Sequence, residues 1–174
     1  EWHAADLASI GFKAEVRDTP GHPVVLAKEH TATGTKVLFY GHYDVQPADP
    51  LELWTDEPFT PVIVTLPDGS KEIRGRGASD DKGQLLTFVE ACRAWKAVTG
   101  KLPIPITVLL EGEEESGGAN LPGFLDAAKD ELAADVAVIC DTNMWDKDTP
   151  AITTSLRGLC AEEIFIHGSD RDLH

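Results

Sequence analysis

The sequence has no apolar stretch long enough to cross a bilayer. Its longest, residues 104–110, is strand-length and carries Pro105 and Thr107, whereas a membrane helix needs roughly 20 apolar residues. Cations are scarce: 15 lysines and arginines stand against 30 aspartates and glutamates, a net charge of −15. No basic face is available to meet phosphates, so neither nucleic acid nor a membrane is an expected partner. Cysteine is limited to Cys92, Cys140 and Cys160, an odd and widely spaced set without a CxxC or Cys/His pattern. That excludes a disulfide framework and a zinc finger, and reads as buried, reduced thiols. Repeats and low-complexity segments are absent. The sequence opens Glu1-Trp2-His3 and no basic-then-apolar leader follows; the expectation of a cytoplasmic protein rests on the reduced thiols. GxSxG, Walker A and Cys/His nucleophile arrangements are missing too. Residues 75–80 begin like a dinucleotide fingerprint, but Asp80 replaces its third glycine, where a carboxylate would repel pyrophosphate.

What remains is a chain of 174 residues, 42% hydrophobic and 26% charged, enough for one domain with a sizeable core. Residues 1–11 read as the tail of a helix ending at Gly11. Short strands are predicted at 12–16, 24–29 and 36–40, and a hairpin at 61–74 turns on Pro67-Asp68-Gly69-Ser70. A helix starts near Asp80-Asp81, carries the stripe Leu85, Phe88, Val89, Cys92 and Trp95, and stops at Gly100. A buried-type strand at 104–110 leads into an acidic cluster. Asn120 and Pro122 then mark the start of a helix that runs to about Ala134, followed by a strand at 136–140. Strands that are apolar throughout and alternate with helices predict an α/β fold, a largely parallel sheet flanked by helices. After Asp141 the pattern changes, and a strand-like run at 160–167 reads as the start of another domain.

Ligands in such sheets gather beyond the carboxyl ends of the strands. Three predicted strands end in acidic or imidazole groups: His42 and Asp44, Glu114 and Glu115, and Asp141. Imidazole with carboxylates is a donor set for zinc, manganese or cobalt, whereas calcium prefers oxygen alone. So many carboxylates on one edge would repel each other without cations between them. Two divalent ions sharing a bridging carboxylate relieve that repulsion and activate a water at neutral pH, and a neighbouring carboxylate can move its proton. Taken singly, each residue has a structural reading. His42 would be a packed histidine, Asp80 a helix cap, Asp141 a turn, and the 111–115 cluster a solvated acidic loop.

The motifs Gly41-His42-Tyr43-Asp44-Val45-Gln46-Pro47, Gly75-Arg76-Gly77-Ala78-Ser79-Asp80-Asp81-Lys82-Gly83, Glu111-Gly112-Glu113-Glu114-Glu115-Ser116-Gly117 and Asp141 resemble, in order and separation, the metal-site motifs of the M20 metallopeptidases. Asp-Val-Gln-Pro, Asp-Asp-Lys-Gly and Leu156-Arg157-Gly158 look most like the dipeptidase, carnosinase-like branch. The resemblance implies a zinc-exopeptidase-like catalytic domain at 1–155 and the start of a lid and dimerisation domain at 156–174. It also implies two divalent ions, zinc foremost with manganese or cobalt as alternatives. His42, Asp80, Glu115 and Asp141 would be ligands, Asp80 bridging both ions with a cis Asp80–Asp81 peptide. Glu114 would be the general base, and Asp44 would orient His42. The family's further metal-binding histidine has no counterpart among these residues, so the sequence reads as a piece of a catalytic domain. His174 resembles a lid histidine that reaches the partner's site across a homodimer and stabilises the oxyanion.

The expected activity is hydrolysis of dipeptides or similar small peptides. Alternatives are an N-acyl amino acid deacylase or desuccinylase with the same centre, an inactive fragment serving as a binding or dimerisation module, and a calcium-stabilised structural domain, which would not need His42.

Overall fold

The structure, a computed structural model, describes residues 1–172. Seven strands and three helices alternate within the compact unit Glu1–Thr142: α1 (Trp2–Ser9), β1 (Lys13–Arg17), β2 (Val24–Glu29), β3 (Val37–His42), β4 (Val62–Thr65), β5 (Lys71–Arg74), α2 (Lys82–Thr99), β6 (Ile106–Glu111), α3 (Leu121–Leu132) and β7 (Val136–Ile139). Five strands form one sheet in the order β1-β2-β6-β3-β7, and β4 and β5 form a separate hairpin. The sheet is mixed. β6, β3 and β7 pair in parallel, as the alternation of strands with helices predicts, while β1 with β2 and β2 with β6 run antiparallel.

The apolar runs of β2 and β6 are explained by burial on both faces. On one face Val25, Ala27, Phe39, Ile106, Val108 and Leu110 pack with Leu7 of α1 and with Leu85, Val89 and Cys92 of α2. On the other, Val24, Leu26 and Leu109 meet Ala128 and Leu132 of α3. Phe39 is fully buried and stacks on Phe88 with ring centroids 4.0 Å apart; emptying such a site costs about 3–5 kcal/mol. The stripe on α2 holds for Leu85, Val89 and Cys92, but Trp95 is half exposed near the helix end. Gly100 closes α2 at φ +80, a left-handed conformation that side chains resist.

Two caps differ from expectation. Asp81 rather than Asp80 stands at the start of α2, and neither it nor Asn120 caps through its side chain. Asn120 instead donates to Glu113.

The remaining residues, from Asn143 onward, form a second unit. Among its described residues the only pairing is a bridge between Asp146 and Thr149, and the run at 160–167 forms no strand. Cys160, expected buried, is exposed there, whereas Cys92 is buried and its thiol is pushed up to about 11 by that burial. Among the described residues no helix is long and apolar enough to cross a membrane.

Candidate metal centre

The parallel trio brings its carboxyl ends to one edge. β3 ends at His42, paired with Glu111 at the end of β6, and β7 is followed two residues later by Asp141. Helix α2 begins at the same edge, directly after Asp80 and Asp81. This close approach needs Gly41. A Cβ there would lie 2.9 Å from Asp81 Oδ2 and 3.1 Å from Leu85 Cβ.

His42 is fully buried. Its backbone N–H donates to Asp81 Oδ2 at 2.9 Å, which fixes the end of β3 against α2. Its Nδ1 lies 3.2 Å from Asp44 Oδ1 and 3.3 Å from the Asp44 carbonyl oxygen. Both neighbours are acceptors, so the proton belongs on Nδ1 and the Nε2 lone pair is left over. That lone pair faces carboxylates: Asp80 Oδ1 at 3.1 Å, Asp141 Oδ2 at 3.8 Å and Glu114 Oε2 at 3.9 Å. Nε2 is buried and makes no hydrogen bond, and neither does Asp81 Oδ1. A lone pair turned toward anions is stable only with a cation between them, either a proton on Nε2 or a metal ion.

The spacing suits an ion. His42, Asp80 and Asp141 each offer an atom, all within 4.8 Å of one another. Zinc bonds of about 2.0–2.2 Å in a tetrahedral arrangement would separate donor atoms by about 3.3–3.5 Å, which falls within the distances from Nε2 to Asp80 and Asp141. The residues present therefore fit a divalent metal.

Without a cation the charges press on each other. Burial alone would lower the His42 pKa, but Asp81, Asp44, Glu114 and Asp80 outweigh it and hold it above its ordinary value. Burial raises Asp81 to about 6, with Asp141 and Asp80 adding to it against the His42 contact. Glu114 and Asp141 are raised by burial and by neighbouring carboxylates, Glu115 among them in both cases.

Glu114 and Glu115 sit in a 3-10 turn, Glu114–Ser116, rather than on an extended segment. A rotation of about 120° per residue, not strand alternation, sends them in different directions. Glu114 approaches His42, while Glu115 stays outside the group formed by His42, Asp80 and Asp141. Its backbone N–H donates to Asp44 Oδ2 at 3.0 Å, and its Oε2 accepts from Gln46 Nε2 at 2.7 Å. The Asp80–Asp81 peptide is cis. His174 lies outside the described residues.

Sequence reading missed two participants. Asp81 reads in the sequence as a helix start and as one side of the cis peptide, whereas in the structure it is fully buried and grips His42. Gln46 was read only as part of a motif; its place two residues after Asp44 was the available signal.

An imidazole and carboxylates gathered at the carboxyl edge of an α/β sheet form a candidate divalent-metal centre. The chain belongs to peptidase family M20/M25/M40, whose profile matches residues 38–165. It is 33% identical over 98% of its length to the Cys-Gly metallodipeptidase dug1 of Schizosaccharomyces pombe, of which it covers 38%. It is 38% identical over 89% of its length to the Beta-Ala-His dipeptidase of Homo sapiens, covering 30% of that protein. Among solved structures, the M20 family metallo-carboxypeptidase Sso-CP2 from Sulfolobus solfataricus superposes with a TM-score of 0.72 at 32% identity, over 82% of this chain and 32% of that one. Human carnosine dipeptidase 1 gives 0.70 at 33% identity, over 83% and 32%. The chain thus spans about a third of the length of these relatives.

Proposed function

We propose that the protein carrying these residues hydrolyses the amide bond of dipeptides or similarly small peptides at a two-ion centre, held by His42, Asp80, Glu115 and Asp141, with zinc the first choice. The observation that carries this reading is the buried, unpartnered His42 Nε2 facing three carboxylates. When bound, the ions supply Lewis-acid polarisation of the scissile carbonyl and make water acidic enough to attack at neutral pH. Asp44 keeps the proton on His42 Nδ1 and so presents Nε2 outward. Asp80, whose Oδ1 lies 3.1 Å from His42 Nε2, would be the carboxylate that both ions share. Glu114 takes a proton from the attacking water and delivers it to the leaving amine, and its raised pKa suits a group that must both accept and release.

The relatives support a dipeptide over an N-acyl amino acid. One is named for Cys-Gly and another for beta-Ala-His, and these substrates share a single amide bond between a free amine and a free carboxylate. A homodimer in which His174 serves the partner's site belongs to the same reading, as does a division into catalytic residues 1–155 and a lid beginning at 156.

Metal content and hydrolysis, measured on the full natural chain with zinc or manganese added, test the proposal. Two ions per chain together with cleavage of Cys-Gly or beta-Ala-His is the expected result. A chain that takes up no transition metal removes it. Cleavage of N-acyl amino acids alone replaces it with the deacylase reading.

A further inference from the structure

Glu115 stands on a one-turn helix with three rotatable side-chain bonds, a placement that by itself fixes nothing about its carboxylate. Two residues from the segment after β3 hold it. Asp44 accepts from His42 Nδ1 at its carbonyl oxygen, with Oδ1 3.2 Å from the same nitrogen, and accepts from the Glu115 backbone N–H at Oδ2, so it ties the imidazole to the turn. Gln46 then reaches the side chain, and its Nε2 donates to Glu115 Oε2 at 2.7 Å. No hydrogen bond engages Glu115 Oε1 among the described residues.

We infer that Gln46 is a positioning residue for the second metal ion, occupying one oxygen of Glu115 and leaving the other for the cation. The inference rests on the two-ion reading above. The chemistry of the amide suits the task. A carboxylate at position 46 would repel Glu115, and an ammonium or guanidinium would satisfy its charge and compete with the ion. A neutral donor orients the carboxylate and leaves its charge unspent. Supporting groups of this kind change metal affinity by about 10–100-fold when removed.

The test is Gln46→Met, which preserves length at an exposed position and removes the donor. Zinc is titrated into the metal-free full natural chain against a chromophoric chelator, and thermal unfolding of the metal-free form is recorded alongside. The expected result is one ion bound at wild-type affinity, the other about tenfold more weakly, and an unchanged metal-free melting temperature. Two ions bound as in the wild type overturn the inference alone. A lowered metal-free melting temperature with both ions weakened equally shows a merely structural role and also overturns it. A wild-type chain that takes up a single ion removes the two-ion reading and this inference together.

Discussion

The two ends of β6 hold buried acidic groups in opposite states. At its start, Ile106 pairs with Glu29, the last residue of β2. The Glu29 carboxylate is almost fully buried and completely answered. Lys96 Nζ lies 3.1 Å from Oε1, Thr31 Oγ1 donates to the same oxygen at 2.7 Å, and the Thr31 N–H donates to Oε2. At its finish, β6 lies beside His42, whose Nε2 has no partner and is ringed by carboxylates. Helix α2 connects the two, beginning at Asp81 and bringing Lys96 to Glu29 one turn before its end. The same strands and helix thus support an end where buried charge is neutralised within the chain and an end where it is not. The first is what stability demands. The second is tolerable only if something outside the chain completes it.

That contrast can be broken by experiment. The largest expected effect is Glu114→Ala, which should lower kcat by about 10²–10⁴ while metal content and metal-free stability stay as they were. Turnover near wild type would remove Glu114 as the base. Next is Glu29→Ala, which strands the Lys96 ammonium and should cost about 3 kcal/mol in urea unfolding without changing metal affinity. A loss well under 1 kcal/mol would mean that the paired end contributes no more than a surface contact.

The two ends should also answer pH with opposite sign in the metal-free chain. Burial works against the charge on Glu29, but Thr31 and Lys96 prevail and hold it below its ordinary 4.5. Its contribution is present above that value and is lost as pH falls through its lower folded pKa. Asp81 is raised from 3.8 to about 6. Its ionised form is disfavoured in the fold, so stability falls as pH rises from about 3.8 to about 6. His42, held above 6.5, adds to the same trend, because its contribution is lost as pH rises through its folded pKa. Urea midpoints between pH 4 and 7 should therefore decline upward in the wild type and flatten in Asp81→Asn, which keeps an acceptor for the His42 N–H. A wild-type midpoint that climbs through this range would contradict the description of the open end.

Much of this was legible in the sequence because it is local. β2 occupies residues 24–29 as predicted, since a two-sided apolar run bounded by turns has few other fates. The hairpin follows from Asp68-Gly69, and the strand-end positions of His42 and Asp141 follow from where strands stop in an α/β fold, whereas Asp80 stands before a helix and is singled out only by its motif. What escaped is what distance along the chain conceals. Nothing in β2 announces that it meets β6 antiparallel, because its register is set by partners some 80 residues away. The Gln46–Glu115 contact spans 69 residues. The apparent period on α2 extended to Trp95, but Trp95 is half exposed and its neighbour Lys96 turns to the sheet at Glu29. Glu114 and Glu115 lie in a 3-10 turn, which an unbroken acidic run does not announce.

Gly41 carries a last consequence. It bears no functional group, yet a single methyl there would push against Asp81 and Leu85 and shift the residue that seats His42. In a saturation-mutagenesis map scored by activity, position 41 should be as intolerant as any carboxylate of the centre, and alanine should fare little better than tryptophan. An alignment of natural variants would carry the same imprint, an invariant column with no chemistry of its own. Ranking residues by intolerance would then count vacant space among the reagents.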